Sequence, residues 1–335
     1  DVPGTADSAT IASGSVQLGD PTWISGLTVT GGTLTVRTTD EPEVALTASG
    51  SISVNGGSAV MVVSNSTLRC GGNMSLIGGG KLYTYAGPAD WPSTNYSVWV
   101  DVAGRLTLGQ ASWVYPYSHP TNGSGGMFTL GSLDIATNAG FQAKGAGYWA
   151  SQRTYANGYS GWGYGPGRGL SYGGGGHGGT GSDGAGGTGG GTYGISNAPV
   201  LPGSGGGAEG YSGPGGHGGG LIRIRTSGTI SLAGSLNADG NAGTTHSGGG
   251  SGGSIYVTCL RLNGPSYGAI TANGGGQGAC SGGGGGGRIA LYCVGDSGYA
   301  GTMTAGGGVG TFGTGATGTV VKVYVAPVGT IFVVH

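Results

Sequence analysis

Charge is the scarcest property of this chain. Asp, Glu, Lys and Arg together make up 7% of its 335 residues, 12 basic and 13 acidic side chains scattered singly, with a formal net charge of −1. Without a basic stripe, neither nucleic acid nor an anionic membrane is an expected partner. Long hydrophobic runs are also missing: no apolar stretch approaches the roughly 18 residues needed to cross a bilayer, so no membrane insertion is expected. Lysine is confined to Lys81, Lys144 and Lys322. That scarcity, beside abundant Ser, Thr, Gly and Tyr, suits a secreted, extracellular or cell-surface protein, and the opening DVPGTADSAT reads as a mature form already trimmed of its signal peptide. A charge-poor surface does little to oppose self-association.

Glycine is what the chain has in excess, with 87 residues. Each loses more backbone freedom on folding than any other residue, so the chain needs a strongly repetitive core or has no fold at all. The apolar residues, 36% of the total, point to the core because their spacing is regular. Pairs one residue apart recur every 22 to 28 residues: Leu27 with Val29, Ile52 with Val54, Met74 with Leu76, Val100 with Val102, Phe128 with Leu130. A second series holds Leu34 with Val36, Val60 with Val62, Leu82, Leu106 with Leu108, and Leu133 with Ile135. A third begins with Val44 and Leu46, then Leu68 and Cys70. Such alternation marks a strand with one buried face. Three strands displaced together predict an all-β, parallel β-helix solenoid with three faces per turn, its apolar side chains lining one bore.

The first series resumes late, at wider spacing, with Ile222 and Ile224, Ile255 and Val257, Ile289 and Leu291, Val321 and Val323. Leu236, Ile270 and Met303 accompany it. One domain over 1–335 is therefore expected, with short coils of about 25 residues over 1–145, a Gly- and aromatic-rich insertion over 146–217, and coils of about 33 residues over 218–335. The opening DSATIASGSVQLGD, corners such as LTVTGGTLTV, and the closing GGGSGGSIYV and GGGGGGRIALY resemble bacterial cell-surface proteins of the pectin-lyase-like right-handed β-helix class. That resemblance implies a right-handed coil and a surface location. It leaves activity open, since the class includes lyases, hydrolases, adhesins and fibre proteins.

Within Gly173–Gly191 the non-glycine residues fall partly on a period of three, at His177, Thr180 and Asp183, a spacing that Pro214 and His217 repeat. That period suits extended strands packed side by side, where only glycine permits the close approach. The segment resembles the polyglycine tips of phage adhesins; a flexible linker is the competing reading. Around its start lie Tyr148, Trp149, Tyr155, Tyr159, Trp162, Tyr164 and Tyr172. These rings are candidate ligand contacts for cell-surface glycans or other proteins, or else a cover for the glycine layer.

Catalytic chemistry is hard to assemble from these residues. A glycan hydrolase needs carboxylates close together, and the one acidic cluster is Asp40, Glu41 and Glu43. Arg223 and Arg225, with Arg288 one or two turns on, suggest an outward arginine column. His177 and His217 both sit in GGHGG, too few ligands for a metal, and Asp183 does not recur as a calcium repeat would. No catalytic, metal or cofactor residue is assigned. Cys259 and Cys293 occupy equivalent places in successive turns, as a disulfide or a stacked pair of buried thiols. Sequons stand at Asn65, Asn73, Asn95 and Asn122, possible glycosylation sites in a suitable host. Ile331, Phe332, Val333 and Val334 end the chain in bare β-forming sequence, read either as a cap or as a subunit contact docking near Thr10–Leu18 of another copy. The function expected is a non-catalytic structural or adhesive protein, a self-assembling head-to-tail surface fibre or matrix subunit. A glycan-binding adhesin is the alternative, and a polysaccharide lyase or hydrolase the second alternative.

Overall fold

The computed structural model describes residues 7–37, 44–88, 96–151, 161–209, 213–276, 279–295 and 298–324. The secondary-structure elements among them are all β-strands, arranged in one 16-stranded and one 9-stranded sheet. Pairing between these strands is parallel and joins segments far apart in sequence. The expected all-β, repetitive parallel architecture is what forms.

Alternating sequence builds it. In Thr33–Arg37, Leu34 and Val36 are buried while Thr33 and Thr35 are partly exposed. The 9-stranded sheet stacks Ser15–Leu18, Thr33–Arg37, Val60–Ser64, Lys81–Tyr85, Trp113–Tyr117, Gly140–Gln142, Ser235–Asn237, Ala269–Thr271 and Thr302–Thr304. The larger sheet consists of two ladders that merge where Val98–Leu108 and Gly126–Ile135 run through both. In the first of these strands the register shifts between Val102 and Arg105. Close approach there needs glycine: a methyl on Gly131 would collide with the Ala103 carbonyl.

The ladders correct the sequence-level pairing in several places: Leu68 and Cys70 align with Leu46 and Ala48 rather than with Val44 and Leu46, and Phe128 and Leu130 align with Ile224 and Thr226 rather than with Ile222 and Ile224. Met74 and Leu76 align with Leu106 and Leu108, whereas Val100 and Val102 align with Leu68 and Cys70. Val98–Leu108 carries two strands' worth of alternation, and a uniform repeat attached the wrong half. Leu34 and Val36 align with Met61 and Val63, which are buried, so Val60 and Val62 face outward. A one-residue slip exchanges the faces of a strand, and a run of four apolar residues hides which register holds. At the far end Ile289 and Leu291 align with Val320 and Lys322 rather than Val321 and Val323.

Inside, one apolar cluster runs from Ile24 to Ala305 and includes residues from both sheets. Phe128 of the larger sheet meets Phe141 of the smaller edge to face, ring centroids 5.0 Å apart. Glycine-rich segments over 163–209 and 213–220 lie mostly outside regular strands, yet their backbones are hydrogen-bonded to those of 240–253, 273–276, 279–287 and 306–318. Gly175 donates to Gly249, Gly285 to Gly175, and Gly275 to Gly250, at 2.8–2.9 Å. A methyl on Gly248 would collide with the Gly173 carbonyl oxygen. At such sites glycine is required by space rather than by conformation.

Candidate functional site

The aromatic run divides between surface and interior. Trp149, Trp162 and Tyr164 are 46%, 54% and 43% exposed. Tyr164 N donates to Trp149 O at 2.8 Å, which sets these two side by side, and the Arg168 guanidinium lies 4.6 Å from the Trp162 ring. Tyr148, expected with them, is buried instead: its hydroxyl donates to Asn122 O at 3.3 Å, and burial pushes its pKa up to about 12. Tyr172 is half-buried and meets His246 edge to face. Tyr155 and Tyr159 lie outside the described residues, as do Asp40, Glu41, Glu43, Asn95 and Ile331, Phe332, Val333 and Val334.

A surface depression lies on the outer side of the larger sheet. Thr129, Arg225, Thr258 and Tyr292 align directly across four neighbouring strands and line a depression of about 470 Å³. Arg225 and Thr258 also line an adjoining one of about 330 Å³, with Arg223 and Tyr256. Every charged side chain lining the two is an arginine. Arg223 packs between rings, 4.5 Å from Tyr96 and 5.3 Å from Tyr256. Arg225 is exposed, and no acid among the described residues pairs with it. Arg288 does not continue this column. It is 7% exposed and donates from Nε and Nη2 to Tyr193 O at 3.0 and 2.8 Å.

That buried arginine belongs to a polar junction between the glycine-rich segments and the sheet. His177 is fully buried, donates from Nδ1 to Gly252 O at 3.0 Å, and leaves Nε2 without a partner among the described residues. Burial, with the nearby Arg288 charge, lowers its pKa to about 4. The Tyr193 hydroxyl donates to Pro202 O and accepts from Ser204 Oγ, and burial raises its pKa well above the usual phenol. His217 Nδ1 accepts from Ala150 N at 3.0 Å, and burial lowers its pKa too. The two GGHGG histidines thus fix backbone from separate places. Among the described residues no group of three or more His, Cys, Asp or Glu could hold a metal ion.

Cys259 and Cys293 are aligned on adjacent strands with their sulfurs 3.2 Å apart, both buried thiols. The hydrogen bond between them raises the pKa of Cys259 and lowers that of Cys293. Asp183 Oδ1 accepts from Gly189 N and closes a turn. Of the described sequons, Asn73 is exposed while Asn65 and Asn122 are half-buried. One cluster escaped the sequence reading. Tyr83 aligns with Tyr115 and Tyr85 with Tyr117, as stacked rings 4.7 and 5.0 Å apart standing on the smaller sheet. The signal was present in KLYTY and WVYPY, two stretches with the same alternation. Compared with known proteins, the chain matches no family model, no curated protein and no solved structure.

Proposed function

We propose that this chain is a non-catalytic extracellular structural and adhesive module. In this reading it is a right-handed, three-faced coil like that of the pectin-lyase-like surface proteins its sequence resembles, one domain with residues 146–217 as a glycine-rich insertion. The observation that carries the proposal is the single apolar column. The strand Gly126–Ile135 pairs directly with Leu221–Thr226 across the whole glycine-rich segment, and the buried Phe128 stacks on the buried Ile224. An interior of this kind is a stiff support, and its loops are free to carry recognition.

Two partners follow from the reading. The first is another copy, joined head to tail: Ser8–Ile11 and Thr319–Tyr324 each pair on one side among the described residues, and an unpaired strand edge templates further pairing. The second is a cell-surface glycan, met by the exposed Trp149, Trp162 and Tyr164, rings of the kind that pack on sugar faces. Electron microscopy of concentrated protein tests the first, with filaments expected; monomers alone would overturn it. A glycan array with the triple alanine variant of those rings tests the second, with signals expected to vanish.

A further inference from the structure

We propose that the arginine depression on the larger sheet is a binding site for sulfated polysaccharide, with Arg225 as its central contact and Thr129 and Thr258 as flanking donors. Several features lead there. Arg225 stands between two threonines in a straight register row, Thr129 on one neighbouring strand and Thr258 on the other. Adjacent strands lie about 4.8 Å apart, so a threonine hydroxyl stands one strand spacing to either side of Arg225, and the three donors form one row. Thr129 Oγ1 already accepts from Trp99 Nε1 at 2.9 Å, which leaves its own proton to donate outward. The planar guanidinium supplies a fork of donors. The three terminal oxygens of a sulfate ester point in three directions, so the fork and the flanking hydroxyls can each meet a separate oxygen, whereas the two oxygens of a planar carboxylate are both engaged by the fork and offer only their second lone pairs, in the same plane.

Charge complementarity agrees. The linings of the two adjoining depressions contain two arginines and no acid. The nearest acid in the row, Asp101, lies beyond Thr129, and on its far side Arg69 aligns with it. A ring-bearing ligand is indicated by Tyr292 and Tyr256, which meet edge to face at 5.9 Å beside the arginines. The Tyr292 hydroxyl is held by Asn197 O at 2.8 Å, so that ring is fixed before anything binds. Two cations are too few for a nucleic acid backbone, whose binding draws on many phosphate contacts. They suit a chain bearing one anionic group per sugar unit. This inference concerns a different face from the exposed tryptophans and is independent of filament formation.

The test is calorimetric titration of the intact chain with dextran sulfate, unsulfated dextran, polygalacturonate and polyphosphate at matched charge and ionic strength. Saturable binding of dextran sulfate is expected, weakening as salt rises, with none of plain dextran. R225Q should lower the affinity about tenfold or more, as loss of a charge-assisted contact does. R225K, which keeps the charge without the fork, should fall between. Arg225 is exposed, so an unchanged melting temperature will show that both variants fold. Equal binding by R225Q would overturn the site. Polygalacturonate binding as tightly would overturn the choice of sulfate over carboxylate, and polyphosphate binding as tightly would overturn the choice of a sugar chain.

Discussion

His177 shows how one side chain couples folding to pH. Its ring is held neutral inside the protein, with a pKa of about 4 against an ordinary 6.5. Between those values the unfolded chain binds a proton that the folded one refuses, so the contribution to stability is complete above pH 6.5 and is lost as pH falls towards 4. About 3 kcal/mol is at stake, and the lowered pKa values of His119 and His217 act in the same direction. Urea denaturation at pH 7.5 and pH 4.5 should reveal the loss, and H177Q should flatten the difference while lowering stability at both. Gly248 makes the steric counterpart. G248A would push a methyl into the Gly173 carbonyl and should cost about 2–3 kcal/mol, read from the same denaturation curves. The sequence displayed both residues plainly. It could not show that one is sealed beneath Gly252 and the other pressed on Gly173, because those contacts join segments some 75 residues apart.

At the level of strands, the aligned thiols of Ser254–Cys259 and Arg288–Cys293 invite a chemical test. Diamide should oxidise Cys259 and Cys293 to a disulfide, two thiol hydrogens passing to the reagent as it is reduced to the hydrazine. Mass spectrometry should find that bond alone, and the unfolding free energy should rise by about 2–4 kcal/mol, as for cross-links of this loop size. Failure to form it would mean that the two strands are not in the register described. Strand identity was the most legible property of this sequence, since alternation needs only local information. Register was less so. Val60–Ser64 offers four consecutive apolar side chains, and only the match of Met61 to Leu34 decides which two go inside. The arginine row was equally hidden, because Thr129, Arg225 and Thr258 come from three segments separated by the glycine-rich stretch.

Across the molecule as a whole, distant segments stack as parallel ladders around one apolar interior. Phe128 and Phe141 join the two sheets through that interior. F128A should therefore destabilise the entire chain by about 3–5 kcal/mol and still leave a single cooperative transition. The most direct measurement is a cysteine-pair comparison at the place where the sequence alone points to a different partner. The structure sets Ser75 beside Thr107, whereas an even repeat would set it beside Asp101. In a background with the native cysteines replaced by serine, S75C with T107C should close rapidly under mild oxidation, and S75C with D101C should stay reduced. Rapid closure of the second pair, or of neither, would contradict the ladder on which every other conclusion stands.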